Sequence, residues 1–494
     1  MSSAEPSTMF TIRNGLRVAL VLGLAWFYVA GASQHAREVN TSIGRGDQLG
    51  YVWDAQVVYG NWHHWTPPMR RGDGREYPSP AEGVSAGEAG RPFPMLIGQR
   101  MRMPVYAAFL ALAYRPTMTE LQFFEVAKIW NIWLSLVLLG LVAIACFSYL
   151  PPLAATNMVL VVAFGYAIFR AGYAQPDFLF YVLFFAAFLA CWNLLRGKAG
   201  LHSLVWGVLA GALGGLAYLT KAVVPPFIAL FLAVYGTNEI VLLARSRRAG
   251  TAERLAARRR FAWRLISGLA VGACFLAVVS PYILTSKRVF GQYFFNANTT
   301  YYMWYDDGGE ARGIIWPHTD PAGRIAISPG RLMNAGKYWR THTLGQIGGR
   351  VVDGLIDTAV RSYRTFWYLK FVVLYVGFVL LLAVAGWRHT VAAMRHHAAL
   401  VTFLSLYAAV YLVGTGFFVA TSGTGGTRFI LAHVAPLLFV ASHVISSSRL
   451  RSVPLALGGV SLTPTHFHAF VLGTMGCDIV FVLWPRLMTT YGGF

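Results

Sequence analysis

FLFYVLFFAAFLACWNLL, residues 178–195, runs without a charged side chain from just after Asp177 to just before Arg196. A helix rises about 1.5 Å per residue, so this stretch reaches most of the way through a hydrocarbon layer about 30 Å thick. Similar apolar runs lie before it at 127–148 and 153–170, and after it at 203–220, 224–244 and 265–285. Further runs occupy 367–387, 399–419, 429–447 and 467–485. Val18–Ala32, preceded by Arg13 and Arg17, reads as a retained anchor rather than a cleaved leader. The sequence therefore predicts an all-α polytopic membrane bundle of eleven helices with two long extracytoplasmic loops.

Composition excludes the soluble alternative. Hydrophobic residues make up 56% of the chain and charged residues 12%, against roughly a quarter charged in soluble domains. The polar surface is too small to cover a water-exposed globule, so lipid must solvate much of it. The net charge of +21 does not mark a nucleic-acid protein, because no recognition motif accompanies it. Eight arginines fall between Arg245 and Arg264 against the single acid Glu253, in a short segment between two apolar runs. Such segments stay in the cytoplasm. The four cysteines lie in apolar segments without metal-ligand spacing and read as small packing residues.

The charges also set orientation. With the N-terminus in the cytoplasm, the short inner loops are those near Arg196 and Lys198, Arg245–Arg264, Arg388–His397, and Arg449 and Arg451. All are basic. The short outer loops at Tyr173–Pro176 and Thr421–Thr427 carry almost no positive charge. Both long polar stretches then face outward, giving a division into 1–32 (tail and first helix), 33–126 (first outer loop with juxtamembrane helices), 127–286 (helices two to seven), 287–365 (second outer loop) and 366–494 (C-terminal helices). A bacterial inner membrane suits this arginine-rich, sequon-poor chain.

Chemistry-bearing residues gather near the outer face. In GDQLGYVWDAQVVYGNWHH, Gly46–His64, Asp47 and Asp54 are seven residues apart and would share one helix face. Gly46 and Gly50 would let backbone approach a ligand closely. A plain interfacial helix with solvated acids and anchoring aromatics fits the same spacing. In QRMRMPVYAAFLALAY, Gln99–Tyr114, Arg100 and Arg102 precede Pro104, which suits a first helical turn. An arginine there can clamp a phosphate or touch lipid head groups. RAGYAQPD, Arg170–Asp177, and LTKAVVPP, Leu219–Pro226, place Asp177 and Lys221 at outer helix ends, either as a salt bridge or with the lysine facing a phosphate. GTGGTRFILAHVAPLL, Gly423–Leu438, delivers Arg428 to a helix start, for an anion or for snorkelling. In the second outer loop, Asp306, Asp307 and Glu310 stand among aromatics, a composition suited to sugar contact. The pairs His63–His64 and His396–His397, and His466 with His468, form no metal-site signature.

Taken in order, GDQLGYVWD (46–54), RMPVYAAFLALAY (102–114), AQPDFLFYVLFFAAFLA (174–190), GGLAYLTKAVVPPFIAL (214–230) and TRFILAHVAPLL (427–438) resemble the GT-C superfamily of membrane glycosyltransferases. The protein O-mannosyltransferases and lipid A aminoarabinose transferases are the most similar members. The resemblance implies an inverting glycosyltransferase that moves a sugar from a polyprenyl-phosphate carrier to an extracytoplasmic lipid, glycan or protein. By the same resemblance Asp47 is the general base, and Lys221, Arg428 and Arg102 receive the donor phosphate. Asp54, Asp177, Tyr106 and His63 fall to acceptor contact or to support behind those groups. Protein mannosyltransferases carry adjacent Asp-Glu where this chain has Asp47-Gln48, which argues against assuming protein mannosylation. The implied partners are membrane lipids, the polyprenyl-phosphate sugar and its acceptor. No metal is assigned, although the outer-loop acids offer oxygen ligands to a divalent ion. A secondary transporter or lipid flippase would also place charges in the membrane, and a non-catalytic polysaccharide assembly factor would share the topology. Transport does not call for two long outer loops.

Overall fold

The computed structural model describes residues 6–63, 102–247, 250–315, 317, 330–365, 368–422, 426–447, 455–457, 460–488. Among them, eleven helices are long and apolar enough to cross a membrane, one for each predicted run. The chain is an integral, multi-pass, all-helical membrane protein.

In order, the main helices are α1 (Pro6–Glu38), α2 (Gln48–His63), α3 (Pro104–Ala111), α4 (Glu120–Tyr149), α5 (Pro152–Arg170), α6 (Asp177–Arg196), α7 (Leu201–Tyr218), α8 (Pro225–Ser246) and α9 (Thr251–Phe290). They continue as α10 (Gly308–Ile315), α11 (Leu344–Thr365), α12 (Tyr368–Ala385), α13 (Trp387–His396), α14 (Ala398–Ser422), α15 (Gly426–Ile445) and α16 (Pro464–Leu487). A hairpin of two three-residue strands, Leu455–Leu457 with Val460–Leu462, is the one β feature among the described residues.

The core is built on α5 and α6, the two most enclosed spans. Phe180, Phe184, Phe185 and Phe188 of α6 are buried; Phe184 meets Phe227 of α8 and Phe188 meets Tyr407 of α14 at a tilt, while Phe185 and Phe188 meet Phe439 of α15 edge to face. Outer spans turn residues such as Val137, Ile144, Leu269, Val373 and Val384 outward, which costs nothing where lipid is the solvent. Without a hydrophobic drive between helices, close approach must come from small residues. Gly207 and Gly211 of α7 supply it: a Cβ on either would strike the Ser267 or Val271 carbonyl of α9.

Several boundaries differ from the hydropathy reading. α4 starts at Glu120, seven residues before the apolar run, behind a capping box in which Thr119 and Gln122 bond each other's backbone N–H. Its first turns carry Glu120, Gln122, Glu125 and Lys128, which hide a helix from hydropathy. The described residues of the second long polar stretch are largely helical: α9 reaches Phe290, and α10, a short helix Ala335–Thr341 and α11 follow. A charge pair also sits in apolar surroundings, Lys370 of α12 with Asp478 of α16.

Basic groups cap the ends of the helices opposite Asp177. Arg264 donates to the Leu194 and Gly197 carbonyls and faces Glu239, and Arg196 meets His443.

Candidate active site

Gly46, held in the left-handed region at φ 64°, turns the chain after α1 and lifts Asp47 to the threshold of α2. The residue that fixes this corner is Gln48, fully buried. Its amide exchanges two 2.8 Å hydrogen bonds with Asn40 and accepts 2.9 Å from the Ala174 N–H in the α5–α6 turn. Asn40 also donates 2.8 Å to Gly172 O. Asn131 of α4 closes the frame, donating 2.8 and 2.9 Å to Ala171 and Tyr173 carbonyls while accepting 3.0 Å from Tyr106 Oη. A glutamate at 48 could accept but not donate, so the departure from Asp-Glu has a structural consequence.

Asp54 lies one turn and more further along α2, and the structure corrects the solvated-acid reading: it is fully buried. Arg102 grips it bidentately, Nε to Oδ2 at 2.5 Å and Nη2 to Oδ1 at 3.2 Å. The close backbone approach expected at Gly50 is made by this arginine, since a Cβ there would overlap the guanidinium. Arg100 lies outside the described residues, as do Gly423–Gly425.

At the start of α6, buried Asp177 collects three cations. Its Oδ2 accepts from Arg170 Nη2 at 2.7 Å and Arg428 Nε at 3.1 Å, and its Oδ1 pairs with Lys221 Nζ. Arg428 also reaches Asp47, Nη1 to Oδ2 at 3.0 Å. Its carbonyl accepts 2.6 Å from Tyr181 Oη, which pins the start of α15. Among the described residues, four cations (Arg102, Arg170, Lys221, Arg428) thus face three carboxylates (Asp47, Asp54, Asp177).

These groups meet at a cavity of about 390 Å³. Asp47, Tyr51, Arg102, Lys221 and Arg428 supply its polar wall and Phe180, Val223, Pro226, Val410, Tyr411, Phe418 and Phe429 its apolar wall; the two adjoin where Lys221 Nζ stands 5.7 Å from the Phe180 ring and 5.2 Å from the Phe429 ring. The second outer segment adds Asn296, Asn298, Thr299 and Met303. Asp47 keeps 55% of its side-chain surface open, the only carboxylate of the three so exposed. Burial would raise its pKa, but the Arg428 guanidinium, charge and hydrogen bond together, holds it below the ordinary aspartate value. Burial pulls Lys221 down to about 8, with Asp177 opposing and Arg428 and Arg170 reinforcing the fall.

Of the sequence-predicted residues, Asp47, Arg102, Lys221 and Arg428 share the cavity wall. Asp54 and Asp177 stand behind it, each holding cavity cations. Tyr106 is buried off the wall, edge-on to Tyr51 at 5.4 Å. His63 is exposed at the end of α2, stacked on Tyr59 at 4.2 Å, and does not line the cavity. Asp307 caps α10 through the Gly309 and Glu310 N–H groups at 3.1 Å, and Asp306 is bound by Tyr338, His342 and Arg350. Those two acids are engaged by the protein itself. Arg170, Gln48 and Asn40 hold these groups in place, and the sequence reading gave none of them a role. The signal for Arg170 was its place, seven residues before Asp177 at an outer helix end. Among the described residues, no three His, Cys, Asp or Glu side chains gather as a metal site would need.

No family model and no curated protein sequence matches the chain. Two solved structures are similar to it. One is the crystal structure of ArnT from Cupriavidus metallidurans bound to undecaprenyl phosphate, 13% identical, covering 85% of this chain and 77% of that one at a TM-score of 0.28. The other is the same protein in the apo state, 14% identical, covering 86% and 78% at a TM-score of 0.30.

Proposed function

We propose that the protein is a membrane transferase that moves a sugar from a polyprenyl-phosphate carrier to an acceptor hydroxyl on the extracytoplasmic side. The carrying observation is the cavity itself: one exposed carboxylate and three cations in its lining, with apolar side chains adjoining them. That pairing matches a ligand with a phosphate head and a hydrocarbon tail. ArnT, the protein of similar structure, has been captured with such a lipid, undecaprenyl phosphate.

In this reading the donor phosphate takes Lys221 and Arg428 and meets the surplus positive charge. Arg428 is drawn off Asp47, whose carboxylate then regains basicity through its desolvation. Asp47 accepts the acceptor's hydroxyl proton as that oxygen attacks the anomeric carbon. The bond from that carbon to the phosphate oxygen breaks, and its electron pair leaves with the phosphate beside the two cations. Asp54 keeps Arg102 aligned, and Asp177 does the same for Lys221 and Arg428. The acceptor enters past Asn298 and Thr299 of the second outer segment.

The test is incubation of purified protein with a panel of polyprenyl-phosphate sugars, following release of the carrier phosphate. Asp47→Asn is expected to lower turnover by about 10²–10⁴ while leaving undecaprenyl phosphate binding intact or tighter, since Arg428 loses a competing carboxylate. Full turnover in that variant removes Asp47 as base. Failure of every carrier phosphate to bind removes the reading as a whole.

A further inference from the structure

One polar side chain on the cavity wall has no part in the transfer steps above. His433 lies on α15, five residues beyond Arg428 and so about 7.5 Å deeper along the helix axis. Its Nδ1 is hydrogen-bonded to Tyr407 Oη on α14. Its ring stands among those of Phe184 at 5.5 Å, Tyr407 at 5.4 Å and Tyr411 at 4.6 Å. Tyr411 in turn donates 2.7 Å to the Val223 carbonyl, in the turn that carries Lys221. His433 is thus tied to the lysine turn on one side and to the arginine helix on the other. Among the described residues, Nε2 has no hydrogen-bond partner.

The bonding pattern selects a tautomer. A phenol donates to imidazole more readily than it accepts, so Tyr407 takes the Nδ1 lone pair and the ring proton sits on Nε2. A neutral N–H donor then stands in an aromatic, lipid-level part of the cavity, where a further full charge would be costly. Arg428 and Lys221 approach an anion from the outer side. A donor below them is placed to complete its hydrogen bonds from the inner side.

We propose that His433 is a specificity-determining ligand: its Nε2–H donates to a terminal oxygen of a phosphate ester whose apolar chain runs along the apolar wall. The chain sets the depth. A phosphate drawn down by its hydrocarbon reaches His433, whereas inorganic phosphate stays with the outer cations. This rests on the carrier-phosphate reading above.

The test uses the full-length protein in detergent micelles and measures equilibrium binding of undecaprenyl phosphate and, separately, of inorganic phosphate. His433→Phe keeps the ring and removes the donor, and is expected to weaken undecaprenyl phosphate about tenfold or more while leaving inorganic phosphate unchanged. His433→Gln restores an N–H and is expected to recover most of the loss. In ¹⁵N-histidine-labelled protein, the His433 Nε2 resonance, assigned through the Phe variant, is expected to move when undecaprenyl phosphate is added. A purely structural role would leave that resonance in place. Three results overturn the proposal: undecaprenyl phosphate bound equally by the Phe variant, a Gln variant as weak as Phe, or an equal loss for inorganic phosphate. If the wild type binds no undecaprenyl phosphate, the functional reading falls first and this inference with it. Wild-type binding with an unaffected Phe variant removes only the inference.

Discussion

A carboxylate that shares a guanidinium is a poor proton acceptor until that guanidinium is called away, and Asp47 is in this position with Arg428. In the transfer reading proposed above, the free protein therefore holds Asp47 in reserve as base. Lys221 carries the complementary switch. Its pKa, lowered by burial to about 8, makes it charged below that pH and neutral above it. Carrier phosphate binding is accordingly expected to weaken as pH rises through 8. In phosphate-free protein, acetic anhydride should modify Lys221 with a midpoint near pH 8, read by peptide mass spectrometry; a midpoint near 10 would show that burial does not govern this amine. Asp47, Asp177, Lys221 and Arg428 were visible in the sequence because ionisable residues at apolar helix ends are rare and costly. The Asp177–Lys221 pair was among the readings the sequence offered, and the structure has it; the Arg428 contacts were not visible, since Arg428 answers to both Asp47 and Asp177 across long stretches of chain.

At the scale of elements, α2 and α3 pack with the start of α4 as one apolar cluster, with Tyr51, Val52, Tyr106, Leu110 and Phe123 among its members. The Asp54–Arg102 pair is its polar clasp. Arg102→Ala would leave the Asp54 carboxylate buried alone, and thermal unfolding in detergent is expected to report a loss of about 3–5 kcal/mol. Gln48→Glu is expected to destabilise too, because the side-chain donors to Asn40 and to the Ser42 and Arg45 carbonyls vanish. Stability equal to wild type in Gln48→Glu would mean that this corner is not what holds Asp47. Periodicity could not expose α2, and run length could not expose α11. α2 carries apolar side chains around most of its surface and buries Gln48, Gln56, Asn61 and Asp54 alongside them. In α11 the apolar residues Leu344, Val352, Ile356 and Tyr363 are exposed, and Arg350 reaches inward to the Phe417 carbonyl. Neither is the long apolar run by which a span announces itself.

For the whole molecule, the eleven spans follow from composition and run length, which survive any error in packing. Handedness across the membrane rests on the basic ends, where Arg196, Arg264 and their neighbours sit opposite the Asp177 cluster. Single-cysteine variants at two exposed sites, Glu253→Cys and Glu310→Cys, are expected to react with an impermeant maleimide from the cytoplasmic and the outer side respectively. Labelling of both from one side would break the topology.

The Asp47–Arg428 contact joins positions 381 residues apart, and that distance has a meaning for biosynthesis. A ribosome completes Asp47 long before it reaches the helix bearing Arg428, while Arg170 and Lys221 are already in place to satisfy Asp177. The emerging chain can thus settle most of its charges as it inserts, yet Asp47 meets Arg428 only when the tenth of the eleven spans is made. A truncated translation product would fold much of the bundle and still lack a working centre.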